Sequence, residues 1–274
     1  MTRRREPLER IADALERMAA PVAEPIDWMA YPGYVWDSGT ARPIASLDTI
    51  RLDQLRGIEP QKRQLRENVA RLAAGSAAHD CLLWGARGMG KSALVRAVLQ
   101  DVHQQTDGKI ALVQVAPGGL DGIATLIDEL APQDRAFVLF LDDLGFGASD
   151  KQESLALRSL LDGGVIARPS RVRLAVTSNR RTIVERSRDE SEALHERDER
   201  DDALALVDRF GLTLGFHPCD RQTYLEIVRG YAQPLALDVD EEEALAWAIA
   251  RGNRSGRTAY QYVCELAGRA GKAI

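Results

Sequence analysis

The chain has 274 residues, 45% hydrophobic and 28% charged, enough for one large domain or two modest ones, which excludes a disordered polymer. A formal charge of −5 excludes a surface that grips nucleic acid everywhere and leaves room for a local basic groove. No apolar run approaches the ~20 residues that span a bilayer, and Met1 to Arg5 is basic with no apolar stretch behind it. Cys81, Cys219 and Cys264 lack paired spacing, so the expectation is a cytoplasmic protein with reduced thiols, no zinc and no membrane partner.

Residues 1–45 form an N-terminal helix and arm. Leu8, Ile11, Ala12, Leu15 and Met18 recur at helical spacing. Pro21, Pro25, Pro32 and Pro43 then alternate with Trp28, Tyr31, Tyr34 and Trp36, too aromatic for a free linker. The stretch reads as an extended arm packed on its own domain or as a docking arm for a neighbouring subunit or partner.

From 46 to 216, short apolar runs alternate with helical patterns. Cys81 to Trp84, Ile110 to Val115, Ala136 to Leu141, Val172 to Thr177 and Leu212 to Phe216 predict strands covered on both faces. Stretches near 60–74, 91–104, 120–130 and 151–161 predict the helices between them, so the fold class is α/β with a parallel sheet and right-handed crossovers. Residues 185–202 break this pattern, with nine acidic side chains and four arginines among 18 positions. They read as a solvated helix or mobile insertion, a dedicated binding tail being the alternative. Residues 217–274 are helical throughout, with Tyr224, Ile227, Val228 and Tyr231, then Ala244, Leu245, Ala248 and Ile249, then Tyr262, Val263 and Leu266 as apolar faces.

Gly85-Ala86-Arg87-Gly88-Met89-Gly90-Lys91-Ser92 matches GxxxxGK[ST], with an apolar strand before it and a helical pattern opening at Ala93. Glycines let the backbone wrap phosphate oxygens so that amide N–H groups point inward, and the helix N-terminus adds partial positive charge. Lys91 is expected on the β- and γ-phosphates and the Ser92 hydroxyl on magnesium. The second half of such a site is an apolar strand ending in acid, and Phe137 to Leu141 followed by Asp142 and Asp143 supplies it. Asp142 is expected to hold magnesium through water, and Asp143 to orient or deprotonate the attacking water. His79, His103, His195 and His217 have no ligand spacing and read as structural.

These motifs resemble those of AAA+ ATPases. Leu52 to Lys62 is similar to the segment that cups adenine in that family, which would set Leu55, Gly57 and Ile58 against the base. Val176-Thr177-Ser178-Asn179 resembles sensor 1, Asp208-Arg209-Phe210-Gly211 the arginine-finger segment, and Ser255-Gly256-Arg257-Thr258-Ala259 the start of the sensor 2 helix. Arg257 suits sensor 2 better than Arg254 because Ala259, Tyr262 and Val263 follow it on one face; Arg180 and Arg181 read as solvent-facing or acid-paired. Over residues 46–270 the run resembles a bacterial family of AAA+-like ATP-binding proteins known only as a domain of unknown function. The resemblance implies a P-loop core of five parallel strands in the order 5-1-4-3-2 with a helical lid. It also implies ATP and Mg2+ as cofactors, a homo-oligomer, and an unidentified protein partner. Asp143 departs from the family's usual Glu, so binding is better supported than turnover, and a nucleotide-gated binding module competes with an ATPase. A small-molecule kinase is a third reading. Nothing supports nucleic acid as a partner or excludes it.

Overall fold

The structure is a computed structural model describing residues 26–47, 49–144, 157–158, 160–161, 168–179 and 204–273. The helix expected over 8–18, Arg180, Arg181, His195 and the acid-rich segment 185–202 lie outside the described residues. Of the helix expected at 151–161, residues 157, 158, 160 and 161 are described, and they are helical.

In chain order the elements are β1 (Gly33–Asp37), β2 (Thr40–Ile44), α1 (Glu59–Ala73), β3 (Cys81–Gly85), α2 (Lys91–Gln105) and β4 (Ile110–Val115). There follow α3 (Ile123–Leu130), β5 (Ala136–Leu141), β6 (Val172–Ser178), β7 (Leu212–Phe216), α4 (Arg221–Ala232), α5 (Glu241–Ala250) and α6 (Gly256–Arg269). The sheet has seven strands in the order β2-β1-β4-β5-β6-β3-β7. The five expected strands keep the order 5-1-4-3-2, as β7-β3-β6-β5-β4, and every contact between them is parallel.

The sheet exceeds expectation by two strands. Residues 33–44, read as arm, extend it: β1 runs parallel to β4, and β2 returns antiparallel along the edge. The turn between them places Ser38 and Gly39 at φ 48° and 81°, the sign a tight two-residue hairpin needs to match strand twist. Pro43 is tolerated because β2 is an edge strand that has one neighbour.

Side chains alternate across the sheet and build two apolar layers. Leu83, Val138 and Phe140 pack with α1 and α2 on one face; Leu82, Phe137 and Leu139 pack with α3, Trp28, Tyr34 and Trp36 on the other. Thus three of the four arm aromatics are core, while Tyr31 stays at the surface. A third cluster, with Tyr224, Val228, Ala248, Tyr262 and Val263, holds α4, α5 and α6 together. Each of these helices is capped by a side chain: Asp220 accepts from Thr223 N–H, Asp240 from Glu242 and Glu243 N–H, and Ser255 from Thr258 N–H. No helix among the described residues is long and apolar enough to cross a membrane.

Arg135, just before β5, fastens the N-terminal strand pair. The residue is 2% exposed, and its guanidinium donates to Trp28 O at 2.7 Å and to Ile110 O at 3.3 Å, which ties the arm to the start of β4. Arg135→Leu removes these charge-assisted bonds and strands the Trp28 carbonyl. It is expected to lower the unfolding free energy by about 2–3 kcal/mol, measured as a lower urea midpoint at unchanged slope.

Candidate functional site

The site forms where β5, β6 and β3, neighbours in the sheet, end at their carboxyl edges. Ligands of parallel α/β sheets bind there, because the strand ends and following loops converge outside the crossover helices. The loop 85–92 leaves β3, Asp142 follows β5, and Asn179 follows β6.

The loop's shape depends on its glycines. Gly85 has φ 116°, and a Cβ on it would lie 2.2 Å from Phe216 O, the carbonyl that accepts from Ala86 N–H at 2.7 Å. Gly88 has φ 74° and sits under α6, where a Cβ would meet Ser255 Oγ at 3.0 Å and the Cβ of Arg257 at 3.2 Å. Gly90, at φ 89°, occupies the N-cap of α2 and has no side chain to cap it. The three C-terminal helices are capped by Asp or Ser, whereas the first-turn amides of α2 are left for an anion.

Lys91 is buried, and its ammonium donates to Gly85 O, Ala86 O and Asn179 Oδ1, each at 2.9 Å. Desolvation pushes its pKa down to about 8 against the opposing pull of Asp143 and Asp142. Ser92 Oγ donates to Asp142 Oδ1 at 2.5 Å, and Thr177 Oγ1 donates to the same oxygen at 2.6 Å. The Thr177 hydroxyl also accepts from Asp143 N–H at 2.8 Å, and Asn179 Nδ2 donates to the Asp143 carboxylate. Asp143 has φ 58°. One connected chain of hydrogen bonds therefore joins Lys91, Asn179, Asp143, Thr177, Asp142 and Ser92.

A cavity of about 430 Å³ opens onto this chain, within the ~300–1,000 Å³ usual for small-molecule sites. Of the expected residues, Arg87, Gly88, Gly90, Lys91, Ser92, Ala93, Asp142, Asp143, Asn179 and Arg257 line it. Gly85, Ala86 and Met89 are buried behind it and shape the loop. Leu55 and Ile58 are not brought to the cavity wall. They are buried in the core, with their methyl groups 3.9 and 3.8 Å from where a Cβ on Gly90 would be. Its apolar end is made instead by Ile50, Tyr231 and Tyr260, the two rings meeting edge to face at 5.5 Å. Tyr231 reads from sequence as one more position on an apolar helical face, so its second role carries no separate signal. Thr177 sat inside the segment resembling sensor 1, but only the structure reveals that it holds both acids.

Arg257 borders the cavity, its N–H donates to Gly88 O at 3.0 Å, and its charge bears on Lys91; Arg254 does not line this cavity. Arg209 is exposed, donates to Ala205 O and lies away from this set. It precedes β7, whose first residue, Leu212, pairs with Cys81 at the end of β3 remote from the loop. At ~3.3 Å per strand residue that leaves roughly 13 Å or more along the strand axis.

The donor set fits magnesium: hydroxyl and carboxylate oxygens from Ser92 and Asp142, adjacent to an uncapped helix start for phosphate. Magnesium commonly takes one or two protein oxygens and fills its octahedron with phosphate and water.

The family described as Protein of unknown function (DUF815) matches residues 29–270. No curated protein matches the sequence significantly. Among solved structures, the RuvB Holliday junction branch migration motor of Thermotoga maritima is 18% identical with a TM-score of 0.51, over 82% of this chain and 68% of that one. The Aeropyrum pernix Orc1 protein in complex with DNA is 20% identical with a TM-score of 0.57, over 80% of this chain and 62% of that one. The Orc2 protein of the same organism, in ADPNP–ADP complexes, is 14% identical with a TM-score of 0.53, over 82% and 66%. These likenesses establish the fold of the AAA+ P-loop ATPases.

Thr177→Val deletes the hydroxyl that serves both acids and leaves the Asp143 amide without its partner. The expected cost is about 1–3 kcal/mol in unfolding free energy, measured as a lower urea midpoint. Thr177→Ser keeps the hydroxyl and is expected to keep the parental midpoint.

Proposed function

The chain belongs to the family described as Protein of unknown function (DUF815), and we propose that it binds ATP with Mg2+ and hydrolyses it, coupling nucleotide state to its C-terminal helices and to a partner. The observation that carries this reading is the connected chain from Lys91 to Ser92 on the wall of a cavity whose far side is α4 and α6. The amides of the loop and of α2 hold phosphate oxygens. Lys91 exchanges its backbone carbonyl partners for the β- and γ-phosphates, an exchange favoured because its ammonium is desolvated without a carboxylate in direct contact. Ser92 and Asp142 hold Mg2+, which when bound neutralises charge on the phosphate oxygens. Asp143, held by Asn179, orients the attacking water. The purine sits against Ile50, Tyr231 and Tyr260, and Arg257 links phosphate to α6.

Arg209 is too far along the sheet to serve its own loop, which supports its acting on the nucleotide of a second copy. A planar guanidinium delivered across an interface stabilises charge on the transferring phosphoryl group. Such a homo-oligomer, with a nucleotide domain that takes in the β1–β2 pair and runs to residue 216, and residues 217–274 as lid, is part of the proposal, as is a soluble cytoplasmic setting.

A second reading, ATP binding with little turnover, is favoured by one contact: the Asn179 amide occupies the Asp143 carboxylate that should meet water. Phosphate release and calorimetry together separate the two. Lys91→Ala is expected to remove most ATP binding in a folded chain. Asp143→Asn should bind ATP–Mg2+ normally and lose hydrolysis, and Arg209→Ala should behave likewise. An equimolar mixture of Lys91→Ala and Arg209→Ala should recover part of the activity, since an intact cradle meets an intact arginine at some interfaces. Activity independent of protein concentration, with no recovery on mixing, assigns Arg209 another role; parental hydrolysis by Asp143→Asn moves water activation elsewhere.

A further inference from the structure

A second and larger cavity, about 1080 Å³, lies on the other side of the phosphate loop, between it, the start of α4, and the α5–α6 connection. Five arginines line it: Arg87, Arg221, Arg251, Arg254 and Arg257, and no Asp or Glu is among its lining residues. This is a concentrated positive field in a chain of formal charge −5. Elsewhere Arg51, Arg66, Arg168, Arg171, Arg229 and Arg269 are each paired with a carboxylate. Among the described residues none of the five cavity arginines has such a partner. Asp220 feels the charge of Arg254 without forming an ion pair with it. Arg251 is held over the Trp247 ring at 3.4 Å from its centroid, which fixes a guanidinium at the rim.

The wall between the charges is apolar. Leu245, Ala248 and Ile249 form a strip on α5, and Ile249 is 79% exposed. No aromatic residue lines the cavity, so it offers no ring on which a nucleobase could stack. Fixed cations around a small apolar strip suit an acidic polypeptide with a short apolar centre.

The chain contains one such segment. Residues 185–202 carry nine acids and four arginines, formal charge −5, with Ala193 and Leu194 at the centre. The segment ends seven residues before Arg209, and residues 204–207 between them are helical, so its end lies within roughly 15 Å of Arg209. The two cavities share Arg87, Gly88 and Arg257. A neighbour that brings Arg209 to the nucleotide cavity therefore brings residues 185–202 within reach of the arginine cavity. We infer that this cavity seats the acid-rich segment 185–202 of a second copy of the chain, so that charge pairing next to the nucleotide selects and orients the neighbour. The inference rests on the reading that Arg209 acts across an interface.

The test uses full-length chains and solution mass with ATP–Mg2+. One variant carries Arg221→Glu and Arg251→Glu, two positions outside the nucleotide cavity; the other carries Glu190→Arg, Glu192→Arg and Glu196→Arg. Each alone is expected to raise the dissociation constant for assembly at least tenfold with ATP affinity of the single copy unchanged. Assembly of the parent should weaken as salt rises. An equimolar mixture should restore assembly, because each reversed cavity then meets a reversed segment and each parental cavity a parental one. Parental assembly by either variant, or no restoration on mixing although both melt as the parent does, overturns the inference. Binding of a single-stranded oligonucleotide that is lost in the arginine variant, with assembly unchanged, also overturns it in favour of nucleic acid. A parent that binds ATP but stays a single copy overturns it while leaving the nucleotide site intact. A chain that assembles with rescue but does not bind ATP upholds it and overturns the nucleotide reading instead.

Discussion

Burial of the Lys91 ammonium is the constraint around which the rest of the site is arranged. Taking a cation out of water is costly unless it is hydrogen-bonded and has countercharge nearby. Here two carbonyls of its own loop and one side-chain amide satisfy its three donors, and the two acids beside it offset part of the desolvation. Each partner comes from a different strand end: Gly85 from β3, Asn179 from β6, and Asp142 and Asp143 from β5. The strand order in the sheet is therefore a requirement of the site. Inserting a strand between β3 and β5 other than β6 would add nearly 5 Å per strand and break the connection.

The same loop links chemistry to the C-terminal helices. Gly88 gives its carbonyl to the backbone of Arg257, and the absence of a Cβ on Gly88 and Gly256 is what lets α6 approach. A second attachment, Gly57 against Thr223 and Gly230 against Arg56, joins α4 to the segment ahead of α1. The first of these contacts borders the cavity, and there the loop meets α6 through a backbone hydrogen bond rather than through a flexible side chain.

Local signals made most of the core legible. Five apolar runs bounded by turns became five strands with nearly the predicted ends, because a central strand is buried on both faces and its composition shows it. The phosphate loop was readable because its glycines answer to sterics that no other residue meets. The edge pair β1–β2 was not: five-residue strands with prolines at 32 and 43 look like an arm, and the pairing of β1 with β4 is set by a tertiary contact 79 residues away, Gly33 against Leu112. The Ser38-Gly39 turn was the available clue. Leu55 and Ile58 were assigned to the base from the resemblance, but an apolar residue beside a cleft can equally serve the layer beneath it, and these do. The acid-rich segment could be read only as charge, since nothing in its own sequence says what it faces.

Asp143 shows how a departure from a family pattern can follow from backbone geometry. Asp stands here where Glu is usual, and its carboxylate ends one methylene closer to the chain. It is also one of four described non-glycine residues with positive φ, the others being Ser38, Asp107 and Ala236. Left-handed backbone costs an L-residue roughly 1–2 kcal/mol, least for Asp and Asn, whose short polar side chains bond locally. The Thr177 hydroxyl meets this cost in part by fixing the Asp143 amide, and the Asn179 amide meets the carboxylate. A longer Glu on the same backbone would carry its oxygens past Asn179. With Asp, the backbone turn and not the side-chain length decides where the carboxylate lies, so the acid is placed as rigidly as the strand end that bears it. Rigid placement favours orientation over mobility of the carboxylate, and Asn179, which holds both Lys91 and Asp143, ties that acid to the lysine of the loop.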